Sequence, residues 1–196
     1  MFWELKYHPW TMANNLDLFA ERYSYFADVK DALGKVHKGG ISFSHDMGVG
    51  NMFSVPGQSS YEMDHSMEYI KGCFSYMTME QLLNWSLCSC VYAASQKDNL
   101  WLDKNKAILI YCLKSIIARD TNNDGIMDAD SVKSGKWGEI TTYDSLDSSL
   151  GQARNNLYIA VKTWSALICL NHVFKKLGLT EESRLYPRLV TSVLWI

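Results

Sequence analysis

The strongest constraint on the fold is a long apolar stripe in the carboxyl-terminal third of the chain. Between residues 149 and 177, apolar side chains recur every three or four positions, at Leu150, Ala153, Leu157, Ala160, Val161, Trp164 and Ile168. That spacing predicts one helix over 149–177. Gly178 should close it, because glycine readily adopts the left-handed conformation found at helix ends.

Three further helices follow from the same reasoning. Thr78 and Gln81 have the spacing of a capping box and open a predicted helix through about residue 96. Helical spacing also covers 100–118 and, more weakly, 11–26. Residues 34–77 and 120–148 are predicted to be long loops. The fold class is therefore mainly α, with helical hairpins, long loops between them and no alternating βαβ pattern.

Composition narrows the class of function. The net charge is −2 and the charges are scattered, so nucleic acid and anionic lipid are not expected partners. We find neither a signal peptide nor about 18 uninterrupted apolar residues, and we expect a cytoplasmic protein without a membrane span. Aromatic residues make up 13% of the chain, which is compatible with sugar binding but is more often core packing.

The segment 139–147 holds three carboxylates, Glu139, Asp144 and Asp147, directly before the 149–177 helix. Asp144 could serve as a proton donor if burial or a second carboxylate raised its pKa. The alternative is structural: Asp147 and Ser148 are good N-cap residues, and Asp144 could favour the positive end of the helix dipole. The residues alone leave both interpretations open.

A second candidate lies in the glycine-bounded segment 39–48, which contains His45 and Asp46. A neighbouring donor and acceptor could bind two adjacent hydroxyl groups of a sugar. The alternative is a turn in which Asp46 accepts hydrogen bonds from nearby backbone amides. A metal site is less favoured, because no further ligands stand at suitable spacing.

A third candidate is the segment 120–128. Asp120, Asn122 and Asp124 followed by Gly125 match the first half of a calcium loop of EF-hand type. The expected glutamate at the twelfth position is replaced by Ser131. An ordinary turn between helices is the alternative, and we regard calcium as an open hypothesis.

Several of these segments occur, in the same order, in one known family. They are 4–6 with 9–10, 21–25, 39–48, 72–75, 139–147 and 149–158. Over roughly residues 2–185 the chain resembles glycoside hydrolase family 52. The last two motifs are the most specific, because they form one long run.

The resemblance implies a retaining β-xylosidase that releases xylose from xylo-oligosaccharides. It also implies that the chain is part of an (α/α)6 barrel, that no cofactor is required, and that homo-oligomers occur. The acid/base of the family falls on Asp144. By analogy with related families, His45, Asp46 and Thr142 would hold the sugar.

The resemblance also implies that one part of the site is missing. The family nucleophile is a glutamate upstream of the segment that matches residues 2–10, so we expect the chain to lack it. Residues 1–196 would form a single, incomplete catalytic region, with too few helices to close a barrel. Residues 186–196 look more like the extreme C-terminus of the family, as in a truncated or rearranged reading frame. The alternative function is a non-catalytic fragment that binds sugar or another chain, and a calcium-binding or purely structural helical module ranks third.

Overall fold

A computed structural model describes residues 2–48, 77–134 and 154–183, without the side chains of residues 2–4 and 134. Within these ranges the chain is mainly helical, which confirms the predicted fold class at that level. The elements in chain order are α1 (Phe2–Tyr7), α2 (Pro9–Arg22), β1 (Ser24–Lys30), β2 (Val36–Phe43), α3 (Thr78–Gln96), α4 (Asn99–Ala118), β3 (Asp130–Ser131) and α5 (Leu157–Lys176).

Helix α3 has the predicted bounds, but the predicted capping box at its start is wrong. The N-cap is Met77, which makes no side-chain capping bond, and Thr78 is already helical. The Thr78 carbonyl accepts a hydrogen bond of 2.6 Å from the hydroxyl group of Ser42 in β2. This buried bond joins the start of α3 to the sheet.

Helix α4 begins within one residue of its predicted start. Asp98 is its N-cap, and the carboxylate accepts a hydrogen bond of 3.0 Å from the backbone N–H of Trp101. Only Lys97, with φ of 54°, and Asp98 separate α4 from α3, so the two helices form a tight hairpin.

Helix α5 begins later than predicted and ends as predicted. Residues 154–156 are not helical, because Asn155 has a positive φ of 53° and the Asn156 side chain caps the helix by accepting from the N–H of Tyr158. Asp147 and Ser148 lie outside the described residues, and the N-cap of α5 is Asn156. At the other end, Gly178 has φ of 70°, and the N–H groups of Gly178 and Leu179 donate to carbonyls of the last turn. That pair of bonds is a Schellman motif.

Two strands occupy positions where the sequence predicted helix and loop. Residues 24–26 belong to β1 and not to the helix 11–26, which ends at Arg22, while β2 lies within the predicted loop 34–77. The strands pair antiparallel, and β3 adds to β1, giving the order β2-β1-β3. Asp31 closes the hairpin, since its Oδ1 accepts from the N–H groups of Leu33 and Lys35.

Two glycines allow β2 to lie close to its neighbours. A Cβ atom at Gly39 would stand 2.2 Å from the carbonyl oxygen of Ala27, and one at Gly40 would stand 2.7 Å from the Cβ of Ser115 in α4. The Ser115 hydroxyl group donates to the carbonyl of Ile41 at 2.8 Å. Gly39 therefore lets β2 lie close to β1, and Gly40 lets it lie directly on α4.

The long helices alternate in direction. Glu80 in the first turn of α3 contacts Tyr158 in the first turn of α5, so these two helices run the same way. Helix α4 returns along α3 as a hairpin. The end of α2 leads into β1 beside the start of α3. Helix α1 comes directly before α2, and the carbonyl of its Leu5 accepts a hydrogen bond from Gln96 at the end of α3. Helix α2 therefore also runs opposite to α3.

Within the part of the chain that the structure describes, α5 is the one helix long and apolar enough to cross a membrane by length and composition. Its mean hydropathy is 1.3. One face of α5 is buried and packs against α3 in the hydrophobic core. The buried core helix of a globular protein has the same composition, so length and hydropathy do not separate the two cases.

Candidate active site

The ends of three secondary-structure elements meet at one end of the fold. The last residues of β2 lie against the start of α3, through the bond from Ser42 to Thr78. The start of α3 in turn lies against the start of α5, through Glu80 and Tyr158. His45 and Asp46 follow β2 at this end. Residues 139–147 lie outside the described residues.

His45 and Asp46 form a pair with defined geometry. Nδ1 of His45 lies 2.8 Å from Oδ2 of Asp46, and Oδ1 of Asp46 accepts a hydrogen bond of 2.7 Å from the N–H of Gly48. Both side chains are somewhat less than one third exposed. The bond to Gly48 is the one that the turn interpretation predicted. It orients the carboxylate, which in turn orients the imidazole ring, and both groups remain open to solvent.

Asp144 and Thr142 lie outside the described residues, as do Glu139 and Asp147. Their predicted roles are therefore not tested by the geometry. The structure does describe the chain immediately before α5, where the Arg154 guanidinium forms an ion pair with Asp130 of β3. The Asp130 side chain is 2% exposed, so this pair fixes the approach to α5 against the sheet.

The sequence patterns did not predict a charged cluster that the structure shows at this end. The Tyr158 hydroxyl donates to Oε1 of Glu80 at 2.6 Å, and Nζ of Lys162 lies 3.1 Å from the same oxygen and 2.9 Å from the hydroxyl oxygen. Glu80 and Lys162 are about 15% exposed. The four-residue spacing of Tyr158 and Lys162 could have indicated one shared helix face. No local pattern connects either residue with Glu80, which is 78 positions from Tyr158 and 82 from Lys162.

The predicted calcium loop is held together by its own hydrogen bonds. The two carboxylate oxygens of Asp120 accept from the N–H groups of Asp124 and Gly125, and Oδ1 of Asp124 accepts from that of Ile126. Burial raises the pKa of Asp120, with these amide bonds opposing the shift.

The same bonds match the turn interpretation of this loop. Among the described residues, no group of three histidine, cysteine or acidic side chains is arranged to hold a metal ion. Calcium binding by Asp120, Asn122 and Asp124 stays a prediction.

Comparison with known proteins tests the predicted family. Residues 1–92 match the model of glycosyl hydrolase family 52. The predicted resemblance to this family is confirmed over that part of the chain. The family 52 match includes α1, α2, the β1–β2 hairpin and most of α3, and therefore includes the pair formed by His45 and Asp46.

Two curated relatives extend the similarity beyond the residues that match the family model. One, a protein named Beta-xylosidase from Geobacillus stearothermophilus, is 50% identical over 94% of this chain. The other, with the same name and organism, is 38% identical over 96% of this chain. The chain spans 26% and 30% of the lengths of these two relatives.

Proposed function

We propose that this chain is part of a glycoside hydrolase of the β-xylosidase type, acting on xylo-oligosaccharides and releasing xylose. The observation that carries the proposal is the 50% identity to a protein named Beta-xylosidase across 94% of the chain. Such identity over nearly the whole chain includes the segments 39–48 and 139–147, where the candidate site residues stand.

Asp144 is the proposed general acid/base. In a retaining glycosidase one carboxylic acid protonates the leaving oxygen while a carboxylate about 5–5.5 Å away attacks the anomeric carbon. Asp144 would give its proton to the departing sugar and then take a proton from the water that hydrolyses the glycosyl-enzyme. The attacking glutamate would come from a part of the full enzyme other than residues 1–196.

His45, Asp46 and Thr142 are the proposed sugar-binding residues. The 2.8 Å contact between Nδ1 of His45 and Asp46 supports this role for the first two, because it fixes an imidazole and a carboxylate side by side. Two adjacent hydroxyl groups of a pyranose need such a neighbouring donor and acceptor.

The proposed architecture is a section of an (α/α)6 barrel. In such a barrel, inner helices run in one direction and outer helices return in the other. The common direction of α3 and α5 and the opposite direction of α2 and α4 support this arrangement. The carboxyl end of β2 and the starts of α3 and α5 would face the substrate.

The acid/base assignment is tested in a hybrid protein. In this hybrid, residues 1–196 replace the matching segment of the 50% identical Geobacillus stearothermophilus relative. We expect Asp144→Asn to lower kcat/KM on xylobiose by about 10²–10⁴-fold, because the sugar leaving group must be protonated as the glycosyl-enzyme forms. The loss of kcat/KM should be much smaller with a dinitrophenyl β-xyloside, whose leaving group departs without a proton.

The matched control is Asp147→Asn, which removes the other aspartate of the same motif and should keep most of the activity. Equal losses on both substrates with Asp144→Asn would reject general acid catalysis by this residue. A loss confined to Asp147→Asn would move the role to that aspartate.

A second candidate function is a segment that binds sugar or a partner chain without catalysis. It is favoured by the small share of each relative that the chain spans, since the nucleophile would lie elsewhere. The isolated chain should then leave an aryl β-xyloside intact, and turnover comparable to that of the hybrid would rule this candidate out.

The remaining expectations also form part of the proposal. We propose a cytoplasmic enzyme that needs no cofactor and assembles as a homo-oligomer, with neither nucleic acid nor a membrane as partner. Calcium at Asp120, Asn122 and Asp124 would have a structural role, since the loop lies at the end of α4.

A further inference from the structure

The charged cluster of Glu80, Tyr158 and Lys162 has polar groups that its own bonds do not use. Oε1 of Glu80 accepts from both the Tyr158 hydroxyl and the Lys162 ammonium, and the ammonium also donates to the hydroxyl oxygen. Within the described part of the chain, Oε2 of Glu80 and the third N–H group of Lys162 make no hydrogen bond. Oε2 is reached by solvent, because it is not one of the buried polar atoms that lack a partner. The cluster therefore offers an acceptor and a donor close together.

Tyr158 adds an aromatic surface beside these two groups. It is 47% exposed, whereas Glu80 and Lys162 are 14% and 15% exposed. Nζ of Lys162 lies 5.0 Å from the centroid of the tyrosine ring, so contacts at the hydroxyl group and with the ring both hold it in place. Such an arrangement suits a pyranose, whose C–H face can pack on the ring while adjacent hydroxyl groups bind the donor and the acceptor.

Helix packing alone does not require this cluster. Helices α3 and α5 already share the hydrophobic core, where Leu83 of α3 and Leu167 and Leu170 of α5 are at most 2% exposed. Withdrawing a carboxylate and an ammonium from water has a desolvation cost, and apolar side chains of similar size often hold two elements together at least as well. Charged groups that are kept at this cost and retain unused bonding capacity point to a ligand.

The cluster and the His45–Asp46 pair both lie at the start of α3. Ser42, in the strand that leads to His45, bonds to Thr78, and Glu80 follows in the same turn of α3 on the side that faces α5. The pair is the proposed site of the terminal xylosyl unit. That unit has free hydroxyl groups only at C2, C3 and C4, which is too few to satisfy two donor–acceptor sets. The cluster would therefore take the next sugar unit.

From these observations we infer that Glu80, Tyr158 and Lys162 bind the leaving-group xylosyl unit of a xylo-oligosaccharide. The inference rests on the proposed function for the identity of the sugar, since an enzyme that releases the terminal unit has the next unit as its leaving group. The cluster would favour oligosaccharides over aryl xylosides, because an aryl leaving group lacks the adjacent hydroxyl groups that the carboxylate and the ammonium bind.

Glu80→Gln is the sharpest variant for a test. The amide keeps a carbonyl oxygen for Tyr158 and Lys162 but replaces the open acceptor with a donor. In the hybrid protein, we expect it to lower kcat/KM on xylobiose at least about tenfold more than on a nitrophenyl β-xyloside, because a sugar-to-carboxylate hydrogen bond is lost. Tyr158→Phe should show the same preference, since it removes the bond that orients the carboxylate. The matched control is Tyr111→Phe, at a tyrosine of α4 that is 44% exposed, and it should change neither value.

A binding measurement separates this inference from the proposed catalysis. Calorimetry on the hybrid would use a sulfur-linked xylobiose, which resists hydrolysis, and compare it with xylose. The disaccharide should bind at least about tenfold more tightly, and Glu80→Gln should remove most of this difference while leaving the melting temperature nearly unchanged.

Losses of kcat/KM that are equal on the two substrates with Glu80→Gln, or no loss on either, would overturn the inference. So would equal affinity of the hybrid for sulfur-linked xylobiose and for xylose. Equal losses together with a lower melting temperature would assign the cluster to holding α3 against α5 instead. A hybrid that binds the disaccharide with the expected preference but hydrolyses neither substrate would support this subsite and reject the proposed catalysis.

Discussion

Single residues hold the turns of this protein in place, and Asp31 is a clear case. Its Oδ1 binds two backbone amides of the hairpin, and its Oδ2 lies 2.8 Å from Nε2 of His37. The side-chain bond from His37 is the main cause that lowers the pKa of Asp31 below 3.8. The ionised carboxylate is therefore the form that the folded hairpin favours.

This shift predicts a pH-dependent contribution to stability. A carboxyl group whose pKa is lowered by folding stabilises the protein above its unfolded pKa, and the effect is lost as the pH falls through the folded pKa. Asp31→Asn should therefore lower the urea midpoint at pH 7, and the difference from the unmodified chain should shrink below about pH 4. Asp28→Asn is the control, since the contacts of Asp28 with the exposed Lys38 are long, at 3.5 Å from each carboxylate oxygen. An equal effect of Asp31→Asn at pH 7 and pH 3 would contradict this account.

Residue patterns located one pair of candidate site residues but not the side chains around it. His45 and Asp46 were identified from their sequence, and the structure places them together at the end of β2. Glu80 was missed because its partners Tyr158 and Lys162 come from a helix that only the tertiary fold brings near. The predicted roles of Asp144 and Thr142 rest on the sequence motif alone.

At the scale of elements, polar side chains connect helices that the sequence separates widely. Oδ1 of Asp17 in α2 accepts from Nε1 of Trp101 at 2.9 Å and from Nδ2 of Asn105 at 3.1 Å, both in α4. Lys104 donates to Oδ2 of the same carboxylate at 2.7 Å. Asn105 is 2% exposed, so the network ties α2 to α4 at the edge of the core.

Removing Asp17 should loosen this contact. Asp17→Ala would leave the indole and the buried carboxamide without the carboxylate acceptor, and we expect the free energy of unfolding to fall by about 1–3 kcal/mol. Urea denaturation followed by circular dichroism measures this change. Asp103→Ala, at an exposed carboxylate of α4, should stay within about 0.5 kcal/mol. If both variants unfold alike, the network does not stabilise the chain.

The helices could be predicted from the sequence because their apolar spacing is local. The bounds of α3 and α4 were found to within one residue for this reason. The strands were missed because β2 contains a Gly39–Gly40 pair, which weakens any strand pattern, and the need for those glycines comes from Ala27 and Ser115. The late start of α5 depends on the positive φ of Asn155, which spacing alone does not encode.

At the scale of the whole molecule, the described helices form a layer with the candidate site at one end. The His45–Asp46 pair and the starts of α3 and α5 stand at that end. The relatives are more than three times as long as the matched segment. The proposed retaining site needs two carboxyls, and it would be shared between this segment and the rest of such a protein.

The central claim is that Asp144 is the acid/base of a retaining glycosidase, and product analysis with azide tests it most directly. When Asp144 is replaced by Asn in the hybrid protein, the glycosyl-enzyme can still form from dinitrophenyl β-xyloside, but water lacks a base. Azide needs no base and would enter from the face that Asp144 has vacated. We predict that azide accelerates turnover and that NMR identifies β-xylosyl azide. Absence of azide rescue, or formation of the α-anomer, would contradict the account.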